Sequence, residues 1–389
     1  AVSCAWTAVT YWGVKRLRPC RRGWYKIFDF TDFFHGSARS QDIFYKMKGE
    51  SAMIGSKEDQ GWRRRFLLVV GIAAVLILTG GALQPVISAE KLKVAAVFET
   101  PIEEPWVNQI HVALLKAKNE LGIEYTWSES VKSADFARVM REYAEKGYQL
   151  ITGDAFGAER IARRVARDYP KTAFVFGSGI GPAEPNFGVF DNWIHEPAYL
   201  SGMIAGKMTK SNIIGVVAAM PIPEVNRLAN AFYAGAKEVN PEVKCKFSFI
   251  GSFFDPPKAK EAALAQIEAG ADVLYAERFG VVEACVERKV LAISNMSDQA
   301  NLGPETVITG PVWDMWPTVK YAISLVQAGV FTAQDFGGFS YMSKGGSYLA
   351  PYHKWETKLP AEVKQMVEKR KQEILDGTFR VDIDESIPK

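Results

Sequence analysis

The sequence has few of the residues that build catalytic or metal sites. It contains four cysteines and four histidines in 389 residues, and no cysteines form a CxxC pair or a zinc-type spacing. His195-Glu196-Pro197-Ala198-Tyr199 begins like the zinc-binding motif HExxH, but a tyrosine replaces the second ligand and a proline interrupts the turn. We therefore expect no metal site and no cofactor.

Motifs for phosphate binding and nucleophilic catalysis are also missing. Gly177-Ser178-Gly179-Ile180-Gly181 follows an apolar run as a phosphate loop would. Prolines follow where free helix N–H groups would be needed, which favours a turn. The sequence has no GxSxG elbow and no Walker lysine. The chain is not predicted to be an enzyme.

Excess positive charge is confined to the N-terminal leader. The first 89 residues hold 13 of the 47 Lys and Arg but 6 of the 44 Asp and Glu, so residues 90–389 carry a net charge of −4. Such a body has no basic field for phosphates, which argues against nucleic acid as a partner. The length of 389 residues is enough for two or three domains, and the 48% of hydrophobic residues is typical of globular proteins.

The leader has the pattern of an export signal. Three arginines at 63–65 precede the uncharged apolar run 66–83, and Pro85 and Ala89 supply a helix break and a small-residue end. Residues 53–89 are predicted to be a cleaved signal peptide, with a retained membrane anchor as the alternative. No cysteine lies near the cleavage point, so no lipid attachment is expected.

Residues 1–52 are interpreted as upstream sequence that is non-native or disordered. They precede a plausible start at Met53 and show no sustained periodicity. With the leader excluded, only Cys245 and Cys285 remain, on a predicted strand and a predicted helix. They are either small buried hydrophobes or partners in a disulfide.

After residue 91, short β-branched runs alternate with segments whose apolar residues recur at helical spacing. This alternation is typical of βαβ units around a parallel sheet. Strands are predicted at 93–98, 124–127, 150–152, 173–176, 213–219, 246–250, 273–276 and 291–294, and helices at 106–121, 134–146, 158–167, 224–239, 258–269 and 360–377.

The two halves of this pattern resemble each other. Pro-Ile-Glu-Glu-Pro-Trp-Val-Asn at 101–108 and Pro-Ile-Pro-Glu-Val-Asn at 221–226 each follow a strand and open a helix. Asp-Ala-Phe-Gly at 154–157 and Glu-Arg-Phe-Gly at 277–280 each close the third strand of their half. Such a repeat predicts two similar lobes, each formed by one copy of the repeated pattern of strands and helices.

We therefore predict an α/β fold of two doubly wound, Rossmann-like parallel-sheet lobes joined by a hinge, with a cleft between them. The first lobe is expected to comprise residues 90–211 plus about 309–340, and the second residues 212–308 plus about 341–389. Ligands of such sheets bind beyond the carboxyl ends of the strands, where the matched loops lie.

Aromatic, acidic and amide residues concentrate in these loops. The mixture suits a flat heteroaromatic ligand, and sugar rings also stack on tryptophan. Trp106 and Trp313 are favoured because each stands beside proline and polar residues, whereas Phe156 and Phe254 have core packing as the alternative. Glu224 has a first-turn helix position as its alternative explanation. The candidate ligand-binding residues are Trp106, Asp154, Phe156, Asn192, Trp193, Glu224, Phe254, Glu277, Arg278, Asp298 and Trp313.

A set of short segments matches a known pattern. They are EPAYLSG at 196–202, AGKMTK at 205–210, PEVN at 223–226, SFFDP at 252–256, GADV at 270–273 and SDQ at 297–299. Together they resemble the basic membrane protein family of ABC-transporter solute-binding proteins, which have the type I periplasmic-binding-protein fold. The resemblance implies capture of a purine base or nucleoside outside the cytoplasmic membrane and its delivery to a permease and ATPase.

The chain departs from the nucleoside-binding members of that family. By the resemblance, those members carry Asp-Lys-Ser-Phe-Asn after the first strand. At the same place this chain has Glu-Glu-Pro-Trp-Val-Asn, which contains Trp106. A carboxylate after the fourth strand is replaced by Gly177, and a lysine after the last cleft strand is replaced around Trp313. The chain is more similar to the adenine-type branch. This likeness implies a base without sugar, with Trp106 stacking on the ring and Asn192 and Asp298 contacting its polar edges.

The sequence therefore predicts a periplasmic or otherwise extracytoplasmic receptor, monomeric by analogy, that closes like a hinge on a purine base without chemistry. Two alternatives stay open: a membrane-anchored sensing subunit and a receptor for another ligand such as a sugar. An enzyme such as a nucleoside hydrolase would need a cluster of metal ligands or catalytic bases, which the sequence does not suggest.

Overall fold

The computed structural model describes residues 90–177 and 180–389. The described residues all belong to one compact unit. The upstream segment 1–52, the predicted signal peptide at 53–89 and part of the glycine-rich turn at 177–181 lie outside the described residues. Within the described ranges, no helix is both long enough and apolar enough to cross a membrane.

The first half of the body folds around a parallel sheet of five strands. Its strands are β1 (Lys93–Val97), β2 (Glu124–Ser128), β3 (Leu150–Asp154), β4 (Ala173–Gly177) and β5 (Phe187–Phe190), and its helices are α1 (Pro105–Glu120), α2 (Ser133–Glu145) and α3 (Glu159–Asp168). The strand order is β2-β1-β3-β4-β5. The central strands are buried along nearly their whole length, as expected of a parallel sheet covered by helices on both faces.

The second half repeats this arrangement. After α4 (His195–Met208), its elements are β6 (Ile213–Ala218), α5 (Pro223–Val239), β7 (Lys244–Phe249), α6 (Pro256–Glu268), β8 (Val273–Ala276), α7 (Val281–Arg288), β9 (Leu291–Ile293) and β10 (Val307–Thr309). The parallel sheet has the order β10-β9-β8-β6-β7. Counted within its own half, each sheet has the order 2-1-3-4-5, which confirms the predicted α/β fold of two similar lobes.

The remaining elements complete the two lobes. They are β11 (Pro311–Trp313), α8 (Trp316–Gln327), β12 (Ser347–Leu349) and α9 (Ala361–Leu375). β11 and β12 form a small antiparallel sheet. Helix α8 packs on α1 of the first lobe, and α9 packs on α4.

For seven elements no bounds were predicted from the sequence: β5, α4, α7, β10, β11, α8 and β12. The strands among them have only three or four residues, too short for a periodic signal. In α4, Pro197 is the third helical residue, where a proline N–H would have no intrahelical partner. The proline that argued against a zinc motif is therefore compatible with the helix itself.

The chain crosses between the lobes three times. The first crossing lies at residues 191–194, because α4 makes its most extensive contacts with α5 and also packs on α9. We therefore assign α4 to the second lobe, whereas the sequence prediction placed everything up to 211 in the first. The second crossing leads from β11 into α8. The third crossing follows Asp335, which forms an isolated β-bridge with Val189.

One chain of hydrogen bonds joins the three crossings. The indole Nε1 of Trp313 donates to Ser340 Oγ at 2.9 Å, and Ser340 Oγ donates to the backbone oxygen of Asp191 at 2.6 Å. Each of these residues belongs to a different crossing. The crossings are therefore tied to one another inside the protein, with Trp313 fully buried.

The two body cysteines lie where the sequence placed them, on a strand and a helix. Cys245 is half-buried in β7 and Cys285 is buried in α7, and both are free thiols. Burial raises the pKa of Cys285 to about 12, so this thiol stays protonated.

Candidate functional site

A cavity of about 200 Å³ lies between the lobes, at the carboxyl ends of strands from both sheets. The first lobe contributes its wall through the loops after β1 and β3 and the start of α1. The second lobe contributes the loops after β6, β7 and β8. The lining residues are Glu99, Thr100, Glu104, Trp106, Asp154, Phe156, Gly157, Met220, Glu224, Phe253 and Arg278.

Five of the eleven predicted ligand-binding residues line this cavity: Trp106, Asp154, Phe156, Glu224 and Arg278. They come from both halves of the internal repeat, because the matched loops end equivalent strands. The pattern that located them was the combination of aromatic and acidic residues directly after an apolar strand.

Trp106 lies in the first turn of α1 and forms the back of the cavity. Glu104 caps this helix, since its carboxylate accepts a hydrogen bond from the Val107 N–H at 3.0 Å. The indole is only 8% exposed and packs on Trp313, with ring centroids 4.6 Å apart. One side of the ring is thus covered by protein, and the remaining exposed part contributes to the wall.

Gly177 leaves room for the Trp106 ring. A Cβ atom at this position would lie 2.8 Å from Trp106 Cζ2 and 2.9 Å from Phe190 Cε2. Real Cβ contacts are essentially never that short, so any side chain here would displace the indole. The glycine at the end of β4 and the tryptophan in the first turn of α1 therefore depend on each other.

Arg278 joins the lobes through buried ion pairs. Its Nη2 lies 2.6 Å from Glu277 Oε1 in the same lobe, and its Nη1 lies 3.2 Å from Glu104 Oε1 in the other lobe. Nη1 also donates to the backbone oxygen of Phe253 at 2.8 Å, and Nε to that of Glu277 at 2.8 Å. Every nitrogen of the guanidinium has a protein partner, so Arg278 holds the wall together.

A second contact between the lobes is aromatic. Phe156 and Phe253 meet edge to face with ring centroids 5.1 Å apart. Phe156 is 43% exposed, so this pair lies at the cavity mouth.

Asn192 and Trp193 stand behind the cavity wall. Asn192 is fully buried, and its Nδ2 donates to Glu224 Oε1 at 2.7 Å. The ring of Trp193 lies 3.9 Å below the guanidinium carbon of Arg227. Both residues belong to the first crossing and support the wall without lining it.

The other four predicted residues also lie outside the lining, each for a physical reason. Trp313 is fully buried and its indole N–H donates to Ser340 Oγ, while Glu277 is covered by Arg278. Phe254 is 38% exposed, and its neighbour Phe253 lines the cavity instead. Asp298 Oδ2 lies 2.6 Å from His353 Nε2, away from the cavity, and both side chains are partly exposed to solvent.

Sequence reasoning missed six lining residues: Glu99, Thr100, Glu104, Gly157, Met220 and Phe253. Glu104 and Gly157 stand in the matched loops, so the repeat did point to them. For Phe253 the signal was a pair of adjacent phenylalanines, and only the backbone direction decides which one faces the cavity. Thr100 and Met220 gave no chemical signal.

The cavity contains more acid than the protein neutralises. Burial raises the pKa of Glu104 and Glu277 while the Arg278 charge opposes it. Burial likewise raises the pKa of Asp154 to about 7, and that of Glu224 to about 8 with a contribution from the Asp191 charge. Neither of these two carboxyls has an ion-pair partner among the described residues. A ligand that offers hydrogen-bond donors would complement both.

These shifts predict that the ligand-free protein loses stability as pH rises from about 4 to about 8. Unfolded Asp154 and Glu224 release their protons near 3.8 and 4.5, but the folded chain keeps them to about 7 and about 8. The folded state thus binds more protons in this window, and the free energy of unfolding falls with pH. Urea denaturation across the window measures the decline.

The combined variant Asp154→Asn and Glu224→Gln should reduce that decline, because the amides carry no titrating proton. Glu120→Gln, which changes an exposed acid on α1, serves as the control and should leave the profile unchanged. A decline of full size in the combined variant would show that other groups cause it.

Two lobes of one topology that meet around a cavity, with three chain crossings between them, define a hinged solute-binding protein of the periplasmic type. The family comparison agrees with this class. Residues 91–333 match the model of the Bmp family, described as ABC transporter substrate-binding protein PnrA-like, and the chain belongs to this family. Membership confirms the resemblance drawn from the sequence segments, and it confirms a solute-binding protein and not an enzyme.

Relatives and solved structures give the same picture of the class. The chain is 34% identical over 273 residues to a Haloferax volcanii protein named "Putative ABC transporter glucose-binding protein", covering 68% of each chain. It is 29% identical over 316 residues to a purine-binding protein of Brucella abortus, covering 80% of this chain and 87% of that one. Its fold is similar to that of an ABC transporter solute-binding protein from Conexibacter woesei, with a TM-score of 0.61 at 22% identity, covering 75% and 99% of the two chains.

Proposed function

We propose that this protein is the extracytoplasmic receptor of an ABC importer for a purine base such as adenine. The lobes close on the base, and the closed form presents it to the permease and ATPase. Export by the leader and action as a monomer are part of this proposal. The observation that carries it is the interlobe cavity with an aromatic wall and two carboxyls, of Asp154 and Glu224, that form no ion pair with any described residue.

The size of the cavity suits a bicyclic base. An engineered protein cavity of about 150 Å³ binds benzene, a single six-membered ring. The cavity here, at about 200 Å³, is somewhat larger. A free base with two fused rings fits this scale better than a nucleoside, whose sugar adds roughly as many atoms again.

The chemistry of the wall suits a base rich in N–H groups. Asp154 from the first lobe and Glu224 from the second offer acceptors when ionised, and donors as well when protonated. A purine carries amino and ring N–H donors together with ring nitrogen acceptors. Anionic ligands are disfavoured, because Arg278, the one cationic side chain among the described lining residues, is already paired.

The Trp106 and Gly177 pair supports a base without sugar. The indole fills the space beside Gly177, where the resemblance implies that nucleoside-binding members carry a carboxylate. The same ring supplies the aromatic surface at the back of the cavity. One substitution pair thus removes a polar partner for a sugar and adds apolar surface for a ring.

Glucose is the second candidate ligand, favoured by the name of the relative at 34% identity. A sugar ring also stacks on tryptophan and donates hydroxyl protons to carboxylates. The two candidates differ in what they predict for free bases, which makes them separable by one experiment.

The deciding measurement is a thermal-shift panel with adenine, hypoxanthine, adenosine and glucose, after unfolding and refolding have removed any bound ligand. Ligand at about 1,000 times its dissociation constant should add about 4 kcal/mol to the free energy of unfolding. We expect a rise of several degrees in Tm with adenine and little with adenosine. A response to glucose with silence for every purine would overturn the assignment and leave the receptor class intact.

A further inference from the structure

The C-terminal segment (residues 381–386) runs back along helix α5. Asn226 Nδ2 donates to the backbone oxygen of Glu385 at 3.0 Å. Asn230, one helical turn later, donates through its Nδ2 to the two backbone oxygens that flank Glu385, at 2.9 and 2.8 Å. Side chains of one helix therefore fix the segment to the second lobe.

The segment supplies a counter-charge to a buried cation. Arg227, on the same helix, is only 1% exposed and points into the first crossing. Its Nη1 lies 3.1 Å from Glu385 Oε1, and its Nη2 lies 2.6 Å from Asp191 Oδ2. A buried charge needs such partners, because its removal from water costs several kcal/mol. One of the two carboxylates that hold Arg227 in place thus comes from the C-terminal segment.

Arg227 in turn fixes the direction of an amide. Its Nη2 lies 3.2 Å from Asn192 Oδ1. A guanidinium can only donate, so the amide oxygen of Asn192 must face it and the amide NH₂ must face the other way. There the Asn192 Nδ2 donates to Glu224 Oε1 at 2.7 Å.

Glu224 is the end of this series, since it lines the cavity. The contacts run from Glu385 to Arg227, from Arg227 to Asn192, and from Asn192 to Glu224. Only the last of these four side chains lines the cavity.

We propose that Arg227 and Glu385 are positioning residues that hold the Glu224 carboxyl in its binding orientation, so that the C-terminal segment sets the affinity for ligand. The proposal rests on the proposed function for its main probe, adenine. It adds a role for two residues that line no part of the cavity.

Isothermal titration with adenine tests this role. Glu385→Ala should weaken adenine binding about tenfold, within the range of about 5- to 150-fold that coupling between sites spans. Glu385→Gln keeps an oxygen that accepts from Arg227 and should restore most of the affinity. Glu268→Ala removes an exposed acid paired with Arg288 at 3.3 Å in the same lobe and should bind like the unmodified protein. Unchanged affinity in Glu385→Ala would overturn the proposal.

A double-mutant cycle separates positioning from a general effect on the fold. In a Glu224→Ala background the positioned group is gone, so Glu385→Ala should weaken the remaining affinity by less than about twofold, as expected when one residue acts through the other. The same tenfold loss in both backgrounds would show that Glu385 acts by another route and would overturn the proposal.

A ligand-free measurement keeps this test independent of the proposed function. With isotopically labelled asparagine, NMR should show slow hydrogen exchange at the Asn192 side-chain amide of the unmodified protein. Arg227→Met should make it exchange rapidly, while thermal unfolding checks that the variant remains folded. Equal exchange in both folded proteins would overturn the proposal. Failure of adenine to bind would overturn the proposed function alone.

Discussion

Arg278→Met should lower the free energy of unfolding by about 3–5 kcal/mol at neutral pH, the cost of breaking a buried ion pair by removing one partner. Glu104 and Glu277 would then be two buried carboxylates, 2% and 1% exposed, without a cation. Methionine fills much of the space, so the loss reports charge more than volume. Denaturant unfolding at neutral pH measures it.

The loss in Arg278→Met should shrink as pH falls. Arg278 opposes the upward pKa shift that burial imposes on both acids, so its removal lets them bind protons at higher pH in the folded state. Protonation removes the unpaired charges, and the variant approaches the stability of the unmodified protein in acid. Arg288→Met, which breaks an exposed pair with Glu268, is the control and should cost less than about 1 kcal/mol. Stability unchanged at neutral pH would mean that the cluster is not buried in solution.

Trp106→Ala should have the largest effect on binding. Under the proposed function, removing the indole takes away an aromatic contact worth about 1–3 kcal/mol to a stacked base, which predicts a loss of roughly 5- to 150-fold in adenine affinity. It also opens space beside Gly177, so the preference for adenine over adenosine should fall. Titration of both ligands against the variant measures the two effects together.

Stability has to be followed in the same experiment, because a buried tryptophan replaced by alanine costs about 3–5 kcal/mol. Trp127→Ala is the matched control: its indole is 37% exposed on β2 and does not line the cavity. Adenine affinity that survives in folded Trp106→Ala would remove this residue from the site.

The fold was accessible from the sequence because parallel sheets bury their strands on both faces. Runs such as 94–98 and 213–219 therefore contain no charged or polar side chain and stand out from their surroundings. The repeated loops then gave the second lobe. The crossings were harder to place, since α4 belongs to the second lobe through contacts with α5 and α9 that involve distant parts of the chain.

The site was accessible only to the level of loops. The composition of the loops correctly predicted that Asp154 and Glu224 line the cavity. It could not show whether Phe253 or Phe254 does so, because that depends only on the direction of each side chain. Trp313 was predicted to bind ligand because polar residues stand beside it in the sequence. In the structure its indole N–H donates instead to Ser340. Chemical type can be predicted from sequence, whereas orientation depends on the packed backbone.

The contact between Trp106 and Trp313 has an optical consequence. Two indoles with ring centroids 4.6 Å apart and ring planes inclined by 42° are close enough for their electronic transitions to couple. We therefore expect a circular dichroism band that separate indoles lack. One ring belongs to the cavity wall and the other to the hinge. A ligand that contacts Trp106, or a movement of the crossing that contains Trp313, would therefore change the signal of this one chromophore pair.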